Sequence, residues 1–172
     1  MVYGYVSEQR FAGTLGGRGI REHHKPDDHK KTKSDRTFTY GSKEYTIQLK
    51  SIQTNSVKEP SPGKFTAKIQ NDASDRRKIT LPNGKSIETT CYQVGEYDIL
   101  GVSLQPFTGD WRFAFKKNRH LKTTTSKKYD PSTQKYLLAT LEDMAYPLTD
   151  DWTEELASLL TDTKLGKKIP GR

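Results

Sequence analysis

Asp35, Gln48 and Lys50 are the residues of this chain whose types and spacing best suit chemistry. Asp35 stands just ahead of two runs of β-formers, RTFTY and KEYTIQLK, and Gln48 and Lys50 lie near the end of the second. Gly41-Ser42 between the runs suits a two-residue hairpin turn with positive φ at the glycine. Pairing Tyr40 with Lys43 across that turn puts Asp35 directly opposite Gln48. Opposed residues share a face, and position i+2 stays on it. Asp35, Gln48 and Lys50 therefore project together, away from a buried face of Phe38, Tyr45, Ile47 and Leu49. A slip of one residue would turn that apolar set outward, so the pattern fixes the register. A carboxylate, an amide oxygen and an ammonium group on one face suit phosphodiester hydrolysis. The oxygens of Asp35 and Gln48, with the backbone carbonyl of Leu49, are the hard donors that Mg²⁺ takes alongside several waters. Such a cation acidifies a bound water and offsets charge on the scissile phosphate, and Lys50 would orient that water or stabilise the developing charge.

The elements around this set are legible from periodicity. Tyr5, Glu8, Phe11, Ala12 and Leu15 mark one face of a helix that Gly16-Gly17 would stop. Glu8 then sits on the apolar side, where its carboxylate could complete the metal shell directly or through water. The polar stretch from Arg18 to Arg36 reads as a loop. KFTAKIQ alternates as a strand, KITLPNGKSIETTCY reads as two short strands around Pro82-Asn83-Gly84, and the apolar run in YDILGVSLQ suits a central strand. WRFAFKK alternates Trp111, Phe113 and Phe115. The spacing of Asp151 and Glu154 predicts a capped helix that buries Trp152, Leu156, Leu159 and Leu160, followed by a frayed basic tail over residues 164–172.

Composition bounds the partners. The 172 residues suit one domain, residues 1–172, and only 31% are hydrophobic, enough for a modest core. No apolar run is long enough to span a membrane, and none suggests a signal peptide. The single Cys91 excludes a disulfide framework and fits a reducing, cytoplasmic setting as a buried thiol. A net charge of +8 favours polyanions. His23, His24, Asp27, Asp28 and His29 read as a solvated loop rather than a second metal cluster.

Asp35, the hairpin and Gln48-Leu49-Lys50 resemble the PD-(D/E)xK motif of the nuclease superfamily that includes type II restriction endonucleases, in which a helix like that carrying Glu8 commonly precedes the hairpin. The resemblance implies an α/β fold with a restriction-endonuclease-like core, a mixed central β-sheet flanked by helices. It also implies Mg²⁺-dependent cleavage of double-stranded DNA, with Mn²⁺ as a substitute, often by a homodimer. Gln48 stands where the family usually has Asp or Glu, which removes a negative charge from the site. The literal Pro-Asp string occurs at Pro26-Asp27-Asp28, making Asp28 the alternative acid, but the register favours Asp35.

DNA contacts are expected from Lys30, Lys31 and Lys33, from Gln53, Thr54 and Asn55 just past the motif, and from the second basic loop with Lys116, Lys117, Arg119, Lys122, Lys127 and Lys128. The competing readings are a non-catalytic DNA-binding module on a degenerate nuclease fold and a homing or repair nuclease.

Overall fold

The computed structural model describes Val6, Arg10, Phe11, Gly13 and residues 20–23, 36–149 and 151–169. In chain order its strands are β1 (Ile20–His23), β2 (Arg36–Tyr40), β3 (Lys43–Ser51), β4 (Lys58–Ser61), β5 (Lys64–Gln70), β6 (Asp72–Thr80), β7 (Ser86–Cys91), β8 (Ile99–Ser103), β9 (Phe113–Lys117), β10 (Leu141–Tyr146) and β11 (Lys167–Lys168). The one-turn helices α1 (Gln105–Thr108), α2 (Pro131–Gln134) and α3 (Leu156–Leu160) punctuate them. Val6, Arg10, Phe11 and Gly13 are helical too, and Phe11 is fully buried.

The central sheet runs β1-β2-β3-β8-β9, with β11 joined to β3. Among the described residues only β3 and β8 run parallel in this sheet and its other pairings are antiparallel, so the sheet is mixed. The β2–β3 hairpin forms as its alternation requires, with Gly41 at φ 60° and Tyr40 opposite Lys43. One face buries Phe38, Tyr45, Ile47 and Leu49 with Phe11, Ile20, Phe113, Phe115 and the leucines of α3. The other face sends Leu100, Val102 and Ala114 into a second core with Ala67, Ile69 and Met144. Covered on both sides, every residue of β8 is buried, which explains its continuous apolar run.

The second layer is a sheet of order β10-β5-β4, where the sequence led us to expect flanking helices. The fold is thus α/β with a mixed central sheet and few helices. Three further expectations need correction, and one strand is additional. Ile20–His23, placed in a loop, forms an edge strand along β2, held by the buried Ile20. Leu141–Tyr146 is a full strand along β5 that the sequence did not announce. The last helix starts at Leu156 rather than Asp151. Asp151 has φ 66°, and Trp152 packs in the second core while Leu156, Leu159 and Leu160 pack in the first. The tail does not fray over 164–169: Leu165 is buried, Gly166 turns at φ 72° with its N–H on Asp98 Oδ1 at 3.1 Å, and β11 pairs with Glu44 and Lys43.

Candidate functional site

Gln48 and Lys50 point to the face opposite Tyr45, Ile47 and Leu49, as the alternation demands. Gln48 is 4% exposed, beside Leu100 in the parallel ladder, and Lys50 is half-buried beside Val102. The Lys50 ammonium donates to the carbonyl of Asp72 at 2.8 Å and lies 5.4 Å from the centre of the Tyr92 ring. Lys50 lines a cleft of about 870 Å³ together with Gln53, Thr54, Asn55, Ser74 and Thr90. Neither Asp72 nor Tyr92 was legible as a partner of Lys50. Asp72 contributes through its backbone, which no side-chain pattern announces.

One residue separates β5 from β6 at this cleft. Asn71 is 1% exposed, its N–H donates to Thr140 O at 2.8 Å, and its Oδ1 accepts the Tyr97 hydroxyl at 3.0 Å. Burial pushes the Tyr97 hydroxyl well above its ordinary pKa, so it remains a donor. Beyond Asn71, β6 and β7 pair at Asp72↔Cys91 and again only from Arg77↔Thr89. The intervening bulge on β6 places Ser74 against the cleft.

The hairpin register is described as far as Arg36↔Ile47. Asp35 is the next residue outward and lies outside the described residues, as do Glu8, Asp28, Lys30, Lys31 and Lys33. Among the described residues no three His, Cys, Asp or Glu side chains converge on a metal position. The described donors of the expected set are the neutral oxygens of Gln48 and Leu49. Their type fits a hard divalent cation, whose charge would be matched by carboxylates from Asp35 and Glu8.

The second basic loop is less available to phosphate than its sequence implies. Lys116 is only 5% exposed, with its ammonium 3.0 Å from Glu142 Oε1. This corrects its reading as a surface contact. Lys117 pairs with Asp162 at 2.7 Å and Arg119 pairs with the same carboxylate. Those contacts, Lys117 foremost, hold the Asp162 carboxyl well below the usual range. Lys122 pairs with Asp143 at 2.7 Å. Lys127 and Lys128 are exposed. Cys91 is a buried free thiol, as expected.

No protein-family model and no curated protein matches the chain. Among the described residues, no helix is long and apolar enough to cross a membrane. A solved structure of a bacterial homing endonuclease, I-Ssp6803I, is similar to the chain at 14% identity and a TM-score of 0.43, over 78% of this chain and 85% of that one.

Proposed function

We propose that the chain is a Mg²⁺-dependent endonuclease of type II restriction enzyme type acting on double-stranded DNA, cutting both strands as a homodimer. The observation that supports this reading is the register of β2 and β3. It leaves Gln48 and Lys50 together on the face away from the first core, and the same register continued by one pair would set Asp35, which lies outside the described residues, opposite Gln48. The distant likeness to a homing endonuclease carries no part of it.

In this reading Asp35, Gln48 and the Leu49 carbonyl would hold the cation, with Glu8 supporting it. Bound there, Mg²⁺ would supply an acidified water and charge neutralisation at the scissile phosphate. Lys50 acts from a fixed position. Held by the Asp72 carbonyl and backed by the Tyr92 ring, its ammonium can donate to a phosphoryl oxygen or the attacking water without first being ordered. Gln53, Thr54 and Asn55 would contact DNA along the wall of the same cleft.

Supercoiled plasmid incubated with the full chain, with Mg²⁺ or with chelator, tests the reading. We expect Mg²⁺-dependent cleavage that Lys50→Ala lowers by roughly a hundredfold or more while duplex affinity stays within about twofold. Undiminished cleavage by Lys50→Ala, or cleavage in chelator, would remove the assignment. The amide of Gln48 favours one other reading, a DNA-binding module without catalysis. Tight duplex binding with no cleavage under any divalent cation would establish that instead.

A further inference from the structure

Lys116, Lys117, Arg119 and Lys122 are paired with carboxylates, and the structure shows another basic surface. β4 and β5 form a hairpin whose tip, residues 58–64, is exposed apart from the half-buried Ser61. Along β5 the burial alternates: Phe65, Ala67 and Ile69 face the second core, while Lys64, Thr66, Lys68 and Gln70 are exposed. Lys58 is directly opposite Thr66, so it shares their face. Lys68 pairs with Asp143 on β10, and Lys122 meets the same carboxylate. The outer face of the β10-β5-β4 sheet thus carries Lys58, Lys64 and Lys68, and Asp143 takes both Lys68 and the neighbouring Lys122. Glu59 is turned onto the Gly63 N–H at the hairpin tip, 2.8 Å away.

This face runs into the candidate site. Gln70 ends β5 at the cleft wall, where its Oε1 accepts from Gln53 Nε2 at 3.3 Å. Gln53 N–H in turn donates to Lys68 O at 3.0 Å, so the end of β3 is fastened to β5. We infer that the outer face of the β4–β5 hairpin is a DNA-reading surface, with Lys58 and Lys64 on phosphates and Thr66 and Gln70 facing base edges in the major groove. The inference rests on the nuclease reading for its choice of duplex DNA. A two-stranded ribbon fits the major groove, and a glutamine amide can contact adenine through two hydrogen bonds. Residues Lys64 to Gln70 extend over roughly 20 Å, about six base pairs of duplex. Hydroxyl and amide readers alternating with lysines suit a partner that offers base edges between lines of phosphate.

Fluorescence anisotropy with labelled 30-base-pair duplexes, in Ca²⁺ to separate binding from cleavage, tests it. Lys58→Ala and Lys64→Ala remove exposed side chains that make no ion pair among the described residues, and we expect thermal unfolding to stay at the parent temperature. Each should weaken binding by roughly five- to tenfold near 0.1 M salt and reduce the log–log salt slope by about 0.9. Gln70→Ala should leave the slope intact and flatten discrimination between duplexes that differ at single A·T pairs, by roughly tenfold. Parental affinity and slope in the double lysine variant would overturn the assignment. So would single-stranded RNA of equal length binding as tightly as duplex. Binding that responds as described in a chain that never cuts DNA would sustain the surface and remove only the nuclease reading.

Discussion

Lys116 and Glu142 show how one pair of side chains can be misread from sequence and still govern the core. A lysine in a basic stretch usually faces solvent, yet this one is 5% exposed, opposite a glutamate exposed to 1%. Removing either charge from water costs several kcal/mol, so neither would remain buried without partners. Lys116 gains Glu142 Oε1 at 3.0 Å and the Trp152 ring at 5.6 Å, while Glu142 Oε2 accepts the Lys122 N–H at 3.3 Å. Lys116→Met strands a carboxylate in the second core, and we expect it to cost about 3–5 kcal/mol in urea unfolding. Replacing both, with Lys116→Met and Glu142→Leu, should recover most of that loss. A single-variant cost below about 1 kcal/mol would show that Glu142 finds water instead. At the same scale, Lys50 was legible because strand alternation fixes where a side chain points. Its acceptor was not, because the carbonyl of Asp72 belongs to no side-chain pattern.

Among the elements, those that alternate cleanly were readable and those that close the edges were not. The β2–β3 hairpin follows from Phe38, Tyr45 and Ile47 and one glycine at φ 60°. β10 escaped notice because its inward set, Glu142, Met144 and Tyr146, begins with a carboxylate, so the apolar period is broken. β11 is two lysines, and it forms because the preceding turn delivers it to β3. That turn depends on Gly166: a Cβ there would come 2.8 Å from Tyr45 Cε1 and 2.9 Å from the Glu44 carbonyl. Tyr45 cannot yield, since its ring is buried and its hydroxyl donates to Leu160 O at 2.8 Å. Gly63 has nearly the same φ, 73°, with open space around it. Gly63→Ala should therefore cost only the backbone strain, about 1 kcal/mol. Gly166→Ala adds the collision, and we expect about 2–3 kcal/mol in all. Equal losses for the two in urea unfolding would mean that β11 shifts freely and does not brace the sheet.

Across the whole molecule, three carboxylates tie separate elements together. Asp130, the N-cap of α2, is held well below the usual carboxylate range chiefly by Lys85, between β6 and β7, with Ser132 and Thr133 adding hydrogen bonds. Asp162 is lowered chiefly by Lys117 on β9, and Asp143 chiefly by Lys122 and then Lys68. A carboxyl whose folded pKa lies below its unfolded value of about 4 contributes fully above that value. The contribution is lost as pH falls through the folded pKa. We expect the urea midpoint to be flat from pH 7 to about 5 and to decline below about pH 4. The decline should be shallower in Asp162→Asn, and smaller in high salt because exposed pairs are screened. An Asp162→Asn profile parallel to the parent's would remove Asp162 from this account. A last consequence concerns Asn71, the one-residue joint between β5 and β6. Its neighbours are Gln70 on the outer sheet face and Asp72, whose carbonyl holds Lys50. Two residues of chain span at most about 7 Å, and the middle one is pinned at both its backbone and its side chain. There is no slack in that tether, so whatever tugs on the glutamine also tugs on the lysine's anchor.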